Sequence, residues 1–328
     1  MAQSTIPMRN LGRHNVQISA LGFGGHHLGD APEATAIRMV REAIDGGITF
    51  FDNCWEYHRG KTEDWMGKGL KGIRDRVFLM TKVRTHGRDK DLAMRMLDES
   101  LRRLQTDHLD LWQIHGVAFD NDPDLFAPKG GAAEALDQAK KQGKVRFVGF
   151  TGHKDPGIHL KMLKTGYPFD AVQMPLNAFD ASFHSFEQIV LPELNRRGIA
   201  PLGMKPLNGH GDAIKFGALS AEEALRYAMS LPVTTTITGI DKPEALQQNL
   251  RIAQGFTPMT SQEMQALRER VRQYATDGRF ELYKLSLKFD NPEARLAHQL
   301  PLDMKQPEVQ EMLGSSQNTG YPYPSLKQ

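Results

Sequence analysis

One cysteine, Cys54, is the whole thiol content of 328 residues. That excludes an internal disulfide, a cysteine-ligated iron–sulfur cluster and a cysteine-rich zinc site. An excess of one charge is also missing. Lys and Arg total 41 against 39 Asp and Glu, and the two signs are interspersed, so no strong field points to nucleic acid or to a membrane surface. No apolar run approaches the roughly 20 residues that a spanning helix needs, and the first ten residues, MAQSTIPMRN, hold no apolar signal core. The expectation is a cytoplasmic enzyme acting on a small molecule. Oligomeric state is not legible.

What is present is the composition of an ordinary globular chain, 40% hydrophobic and 24% charged, with a regular alternation. Short apolar runs at 18–23, 48–51, 77–82, 109–114, 145–150, 171–174, 199–203 and 235–238 read as strands. Amphipathic stretches at 33–45, 61–71, 89–104, 132–142, 156–164, 185–197, 221–230 and 243–253 read as helices between and after them. Ser220 and Asp241 stand where helices should start, and Gly143, Gly166 and Gly198 where they should stop. Eight strand–helix units predict an α/β fold, a closed (β/α)8 barrel, with a doubly wound open sheet as the rival that shares the alternation. MRNLGRHNV, 8–16, predicts a hairpin under the barrel, and 260–275 one further helix. The barrel unit is expected to occupy 1–276. Residues 277–328, rich in proline toward the end, are expected to form an irregular extension that packs on the barrel or is partly disordered.

Four polar residues, Asp52, Tyr57, Lys82 and His115, each follow or end a strand-like run. In a (β/α)8 barrel the carboxyl ends of different strands supply the catalytic groups. A carboxylate, a phenol, an ammonium and an imidazole gathered there would make a proton-donating site. Each alone has a plainer reading: Asp52 as a turn residue, Tyr57 as packing, Lys82 as a solvated strand end, His115 as a core-edge histidine. The combination carries the inference.

The sequence resembles the aldo-keto reductases from LGRHNVQISALGFGG to about residue 254, through GGITFFDNCWEY, VFLMTKV, ESLRRLQTDHLDLWQIHG, GKVRFVGFTGH, AVQMPLN, GIAPLGMKPLNGHG and TGIDKPEALQQNL, in that order. The resemblance implies a (β/α)8 barrel, a nicotinamide cofactor and reversible carbonyl reduction, with Asp52, Tyr57, Lys82 and His115 as the catalytic tetrad. Tyr57 would donate the proton to the carbonyl oxygen. A free phenol, with a pKa of about 10, is too weak an acid unaided, and Lys82 would lower it. Asp52 would hold Lys82, and His115 would donate a hydrogen bond to the developing oxyanion.

The same resemblance assigns cofactor contacts to Gly25, Thr151, Gln173, Asn177, Met204, Lys205, Pro206 and Leu207, and on the adenosine side to Gly239, Asp241, Lys242, Gln248 and Asn249. Gln173 would take the nicotinamide carboxamide, Met204 would replace an aromatic under the ring, and Lys205 would pair with the pyrophosphate. Lys242 favours NADP(H) over NAD(H), although Ala245 stands where many relatives have arginine. Gly152 replaces a frequent asparagine, and His58 a frequent glycine. His26, Trp55 and His58 are expected to line the substrate pocket and to suit a polar or sugar-like carbonyl compound. Two alternatives accompany this reading: a non-catalytic, nicotinamide-binding redox-sensing barrel, and a metal-dependent barrel hydrolase or isomerase that would use His26, His27, Asp52, His115, His153 and His210. No metal is expected in the first reading.

Overall fold

The computed structural model describes residues 5–84, 88–285 and 292–301. Strands β1 (Met8–Leu11) and β2 (His14–Ser19) form an antiparallel hairpin. Then β3 (Leu21–Gly24), β4 (Phe50–Asp52), β5 (Phe78–Val83), β6 (Leu109–Ile114), β7 (Val145–Thr151), β8 (Ala171–Pro175), β9 (Ala200–Met204) and β10 (Thr235–Gly239) pair in parallel. Strand β10 returns to β3, so the sheet is a closed barrel and the open-sheet rival is excluded.

The hairpin extends three residues beyond the expected 8–16, and the first barrel strand starts at Leu21 rather than at 18. Ile18 and Ser19 pair back with Arg9 and Met8 instead of joining the barrel. Leu11 and Ile18 then pack with Phe50, Phe78 and Leu111 and plug the amino-terminal end. Gly12 makes the turn possible: its φ is +52°, and a Cβ there would lie 2.5 Å from the Gly198 carbonyl oxygen.

Side chains alternate across each strand, and this decides what enters the barrel. Phe78 and Met80 point inward with Phe50, Leu111, Ala171 and Leu202, while Leu79 and Val83 face the helices. Continuing the inward parity by two residues gives Asp52 on β4, Lys82 on β5, Gln113 and His115 on and after β6, and Gln173 on β8. The apolar inner layer is therefore capped by polar groups at the carboxyl ends.

The helices follow the amphipathic pattern. Helix Glu33–Asp45 buries Ala36, Met39, Val40, Ala43 and Ile44, the spacing of one face. Ser220 and Thr260 each form a reciprocal capping box with Glu223 and Glu263. Two expectations are corrected. The stretch 185–197 is two helices, Phe186–Ile189 and Leu191–Arg197, with Pro192 in the first turn of the second, because proline cannot supply the N–H that would continue the first. Asp241 does not cap the helix Pro243–Gln254; Lys242 is its N-cap, without a side-chain bond.

After the helix Ser261–Val271 the chain crosses back, and Phe280, Glu281, Tyr283 and Lys284 are buried. Lys284 donates to Asp180 Oδ1 (2.7 Å), Glu281 Oε2 (3.0 Å) and the Phe183 carbonyl (2.7 Å). This first part of the expected extension packs on the barrel mouth; 286–291 and 302–328 lie outside the described residues. Among the described residues no helix is long and apolar enough to cross a membrane.

Candidate active site at the carboxyl end of the barrel

Asp52, at the end of β4, and Lys82, on β5, form an ion pair with both side chains almost fully buried. The Lys82 ammonium also donates to the Asn53 carbonyl at 2.8 Å, and Gln173 Nε2 donates to Asp52 Oδ2 at 2.8 Å. Tyr57 opens a short 3-10 turn, Tyr57–Gly60, beyond β4. Its ring centroid is 5.0 Å from Lys82 Nζ, 4.9 Å from the His26 ring and 6.2 Å from the His115 ring. The four residues singled out in the sequence are thus brought together.

Their electrostatics differ from the sequence argument at one point. Burial, then the Asp52 carboxylate and the neighbouring Cys54 and Glu56, hold the Tyr57 phenol well above its ordinary pKa. Lys82, paired with Asp52 and with its Nζ 5.0 Å from the phenol ring centroid, does not outweigh them. His115 is held below its ordinary value by burial, against the pull of Glu56, whose Oε1 is 3.2 Å from His115 Nδ1. Burial alone would raise Glu56, but the His115 contact with Arg84 and Lys82 brings it down to about 2.

Two connected cavities open over this cluster. One, of ≈ 320 Å³, is lined by His26, His27, His58, His115, His153 and His210 with Glu56, Tyr57, Arg84, Lys205 and Tyr283. The other, of ≈ 220 Å³, is a cleft along the ends of β3 and β8–β10. Gly25, Gln173, Met204, Lys205, Pro206, Leu207, Gly239, Asp241, Gln248 and Asn249 line it. Tyr57, His26, His27 and His153 line both.

Ten of the expected cofactor contacts therefore face one cleft, and three do not. Thr151 is buried with its hydroxyl oxygen unpartnered, outside the lining. Asn177 is spent on the scaffold: its amide donates to Tyr283 Oη (3.0 Å) and Glu281 Oε1 (3.2 Å), and its oxygen accepts from Phe179 N (2.9 Å) and Asn208 Nδ2 (3.1 Å). Lys242 is exposed beside the cleft. Trp55 does not line the substrate cavity either; its indole N–H donates to Glu99 at 2.8 Å and its ring lies under Arg103. His26 and His58 do line it.

Local backbone explains two departures noted in the sequence. His58 and Arg59 have φ of +48° and +59°, the left-handed region in which glycine is unstrained. The turn keeps that shape with a histidine in it, and the His58 ring covers Gly29, where a Cβ would meet it at 2.4 Å. At Gly152 a Cβ would lie 2.3 Å from the Val117 carbonyl oxygen, so an asparagine has no room there.

Sequence reasoning missed Glu56, Arg84 and Tyr283 as wall residues. Arg84 carried a signal, the inward parity of β5 continued from Lys82. Glu56 was visible only as Tyr57's neighbour. Tyr283 had no local signal, because a distant segment delivers it. The zinc alternative gains no geometry: no three of its six side chains bring ligand atoms within 4.8 Å of one another.

The cleft suits a nicotinamide cofactor. Gln173 Oε1, buried and unpartnered, is left to accept from a carboxamide N–H, while Nε2 is fixed by Asp52. Gly25 lets the chain pass close to β4, since a Cβ there would lie 2.6 Å from the Asp52 carbonyl oxygen. A family model described as the aldo/keto reductase family matches residues 20–211. The chain belongs to the aldo/keto reductase family. The chain is 30% identical over 202 residues to the aldo-keto reductase YhdN of Bacillus subtilis, covering 58% of each chain. It is 34% identical over 158 residues to L-galactose dehydrogenase of Arabidopsis thaliana, covering 45% of this chain and 49% of that one. The holo structure of an aldo-keto reductase from Bacillus halodurans matches with a TM-score of 0.69 at 26% identity, over 81% of this chain and 96% of that chain. The matches thus span about half to three-fifths of the two curated relatives and nearly all of the solved one. Membership makes the chain an oxidoreductase of the class that reduces carbonyl groups with a nicotinamide cofactor.

Proposed function

We propose that the protein reduces a polar, sugar-like aldehyde or ketone, with Tyr57 as proton donor. The observation that carries this is the place of Tyr57 on the wall shared by the cofactor-type cleft and the histidine-lined cavity. A nicotinamide held in the cleft by Gln173 and its neighbours would supply the hydride that reduces the carbonyl carbon. Tyr57, kept protonated by its surroundings, gives its proton to the oxygen; Asp52, itself held by Gln173, keeps the Lys82 ammonium beside the ring, and His115 orients the oxygen. His26 and His58 offer hydrogen bonds to hydroxyl groups of the substrate, and the relative named L-galactose dehydrogenase supports a sugar-like one. The test is a carbonyl panel, including sugar-derived ketones and aldehydes, followed by absorbance of the reduced cofactor. Tyr57→Phe should lower turnover by about 10²–10⁴-fold and leave cofactor binding intact. Turnover that survives the change overturns the mechanism.

NADP(H) is the cofactor expected from Lys242. A specific observation favours NAD(H) as a second reading: Asp241 and Ala245 line the adenosine end while Lys242 stands outside it. Lys242→Ala separates them. It should raise the Kd for NADPH several-fold and leave that for NADH unchanged if Lys242 meets a 2′-phosphate.

A further inference from the structure

His115 divides its two ring nitrogens between the protein and the cavity. Nδ1 lies 3.2 Å from Glu56 Oε1 and 3.3 Å from Cys54 Sγ. Nε2 is left for the cavity that His115 lines. Which nitrogen carries the proton in the neutral ring follows from what faces Nδ1. Glu56 is ionised, and Arg84, 4.0 Å from its other oxygen, helps keep it so. A carboxylate oxygen against an imidazole lone pair is repulsive, so the Glu56 contact at 3.2 Å favours the ring form with its proton on Nδ1. The Cys54 thiol, which burial keeps protonated, is too weak a donor to reverse this. The remaining charged and titratable neighbours, Lys82 and Arg84 from β5 and beyond, Tyr57 beside the ring and His153 with its centroid 5.9 Å away, offer no competing acceptor for Nδ1 among the described contacts.

We propose that Glu56 is a positioning residue that fixes the tautomer of His115 and so makes its role depend on protonation state. Neutral His115 presents a bare Nε2 to the cavity. It can accept from an alcohol O–H but cannot donate to a carbonyl oxygen. With a second proton, the imidazolium paired with Glu56 donates from Nε2. The consequence for catalysis rests on the carbonyl-reducing reading above: reduction uses the imidazolium–carboxylate pair, and alcohol oxidation uses the neutral ring. The step balances as before, with hydride reaching carbon and the Tyr57 proton reaching oxygen, while His115 keeps its protons. Glu56 raises the fraction of imidazolium, whereas burial, Lys82 and Arg84 lower it.

The experiment is nitrogen-15 NMR of histidine-labelled wild-type protein, with the His115 signals identified by their loss in His115→Gln. Above the titration of His115 the wild type should show a protonated Nδ1 and an unprotonated Nε2. A neutral ring protonated at Nε2 overturns the proposal whether or not any substrate is known. In Glu56→Gln the amide can donate to Nδ1 as well as accept, so the fixed tautomer should be lost and the titration should move to lower pH. An unmoved His115 also overturns it. In kinetics, wild-type kcat/KM for reduction should fall about tenfold per pH unit above that titration, and Glu56→Gln should flatten this slope. If Glu56→Gln folds poorly, the wild-type tautomer alone decides. Absence of turnover with every carbonyl would count against the reductase reading and leaves the NMR result able to support or overturn the role of Glu56.

Discussion

At the scale of single residues, the site rests on a buried ion pair that is stronger as a pair than its members are apart. Taking two charges out of water costs several kcal/mol each, and the contact between Asp52 and Lys82, with added bonds from Asn53 and Gln173, offsets that cost. Lys82→Met should therefore destabilise the fold by about 3–5 kcal/mol in urea unfolding, because Asp52 is left buried and unpaired. The double variant Asp52→Asn/Lys82→Met should recover part of this; equal loss in both would show that the pair is not what holds the site. The quartet itself was legible from sequence, since Asp52, Lys82 and His115 end or follow apolar runs and Tyr57 lies five residues past Asp52 in the turn beyond β4. The direction of the Tyr57 shift was not. It follows from burial of the phenol first, and then from the Asp52, Cys54 and Glu56 groups around it, which are facts of three dimensions.

At the scale of elements, start signals read well and long-range partners did not. Ser220 was visible as a helix start, and its capping box is present. Ser220→Ala should cost about 1 kcal/mol of stability, measured by chemical denaturation. Asp241 looked like a similar cap and is not one; it lies in the cleft wall, on the side where the family resemblance also assigns it an adenosine contact. Trp55 and Asn177 were misplaced for one reason. Their neighbours Glu99, Glu281 and Tyr283 lie 44 to 106 residues away, and local pattern cannot report them. The segment carrying Glu281–Lys284 shows the effect most clearly. Lys284 is buried between Asp180 and Glu281, so Lys284→Met leaves two carboxyl groups uncompensated. That variant should loosen the segment, seen as faster amide exchange over 278–285, and raise KM because Tyr283 lines the cavity. Unchanged exchange would separate the segment from this ion cluster.

At the scale of the whole molecule, buried histidines tie stability to pH. Burial holds His159 at about 4, below the ordinary 6.5, and holds His153 well below it. For a histidine depressed in the folded state, the unfolded chain binds the proton first as pH falls. The stabilisation is complete above about 6.5 and is lost as pH drops through 4. For His159 alone that loss is about 3 kcal/mol. The melting temperature should fall steadily from pH 7 to 4, and His159→Phe, which removes that titration, should flatten part of the decline. A melting temperature independent of pH across that window would contradict the burial of these rings.

The succession of eight strand–helix units was determined by sequence alone, since apolar runs, amphipathic helices and their order leave few topologies, and parity within each strand then dictates which polar residues cap the inner layer. Asp52, Lys82 and His115 were readable for that reason, and Tyr57 from its place just past the second strand-like run together with the family resemblance. Closure of β10 onto β3 completes the ring that brings them together, and it is a property of the assembled sheet. Tertiary structure also decided what surrounds them: the Glu56 contact that sets the His115 tautomer, the turn that holds His58 at positive φ, and the distant segment that brings Tyr283 to the cavity. Each depends on distances between groups that chain order does not encode, and proton positions and pKa values follow those distances.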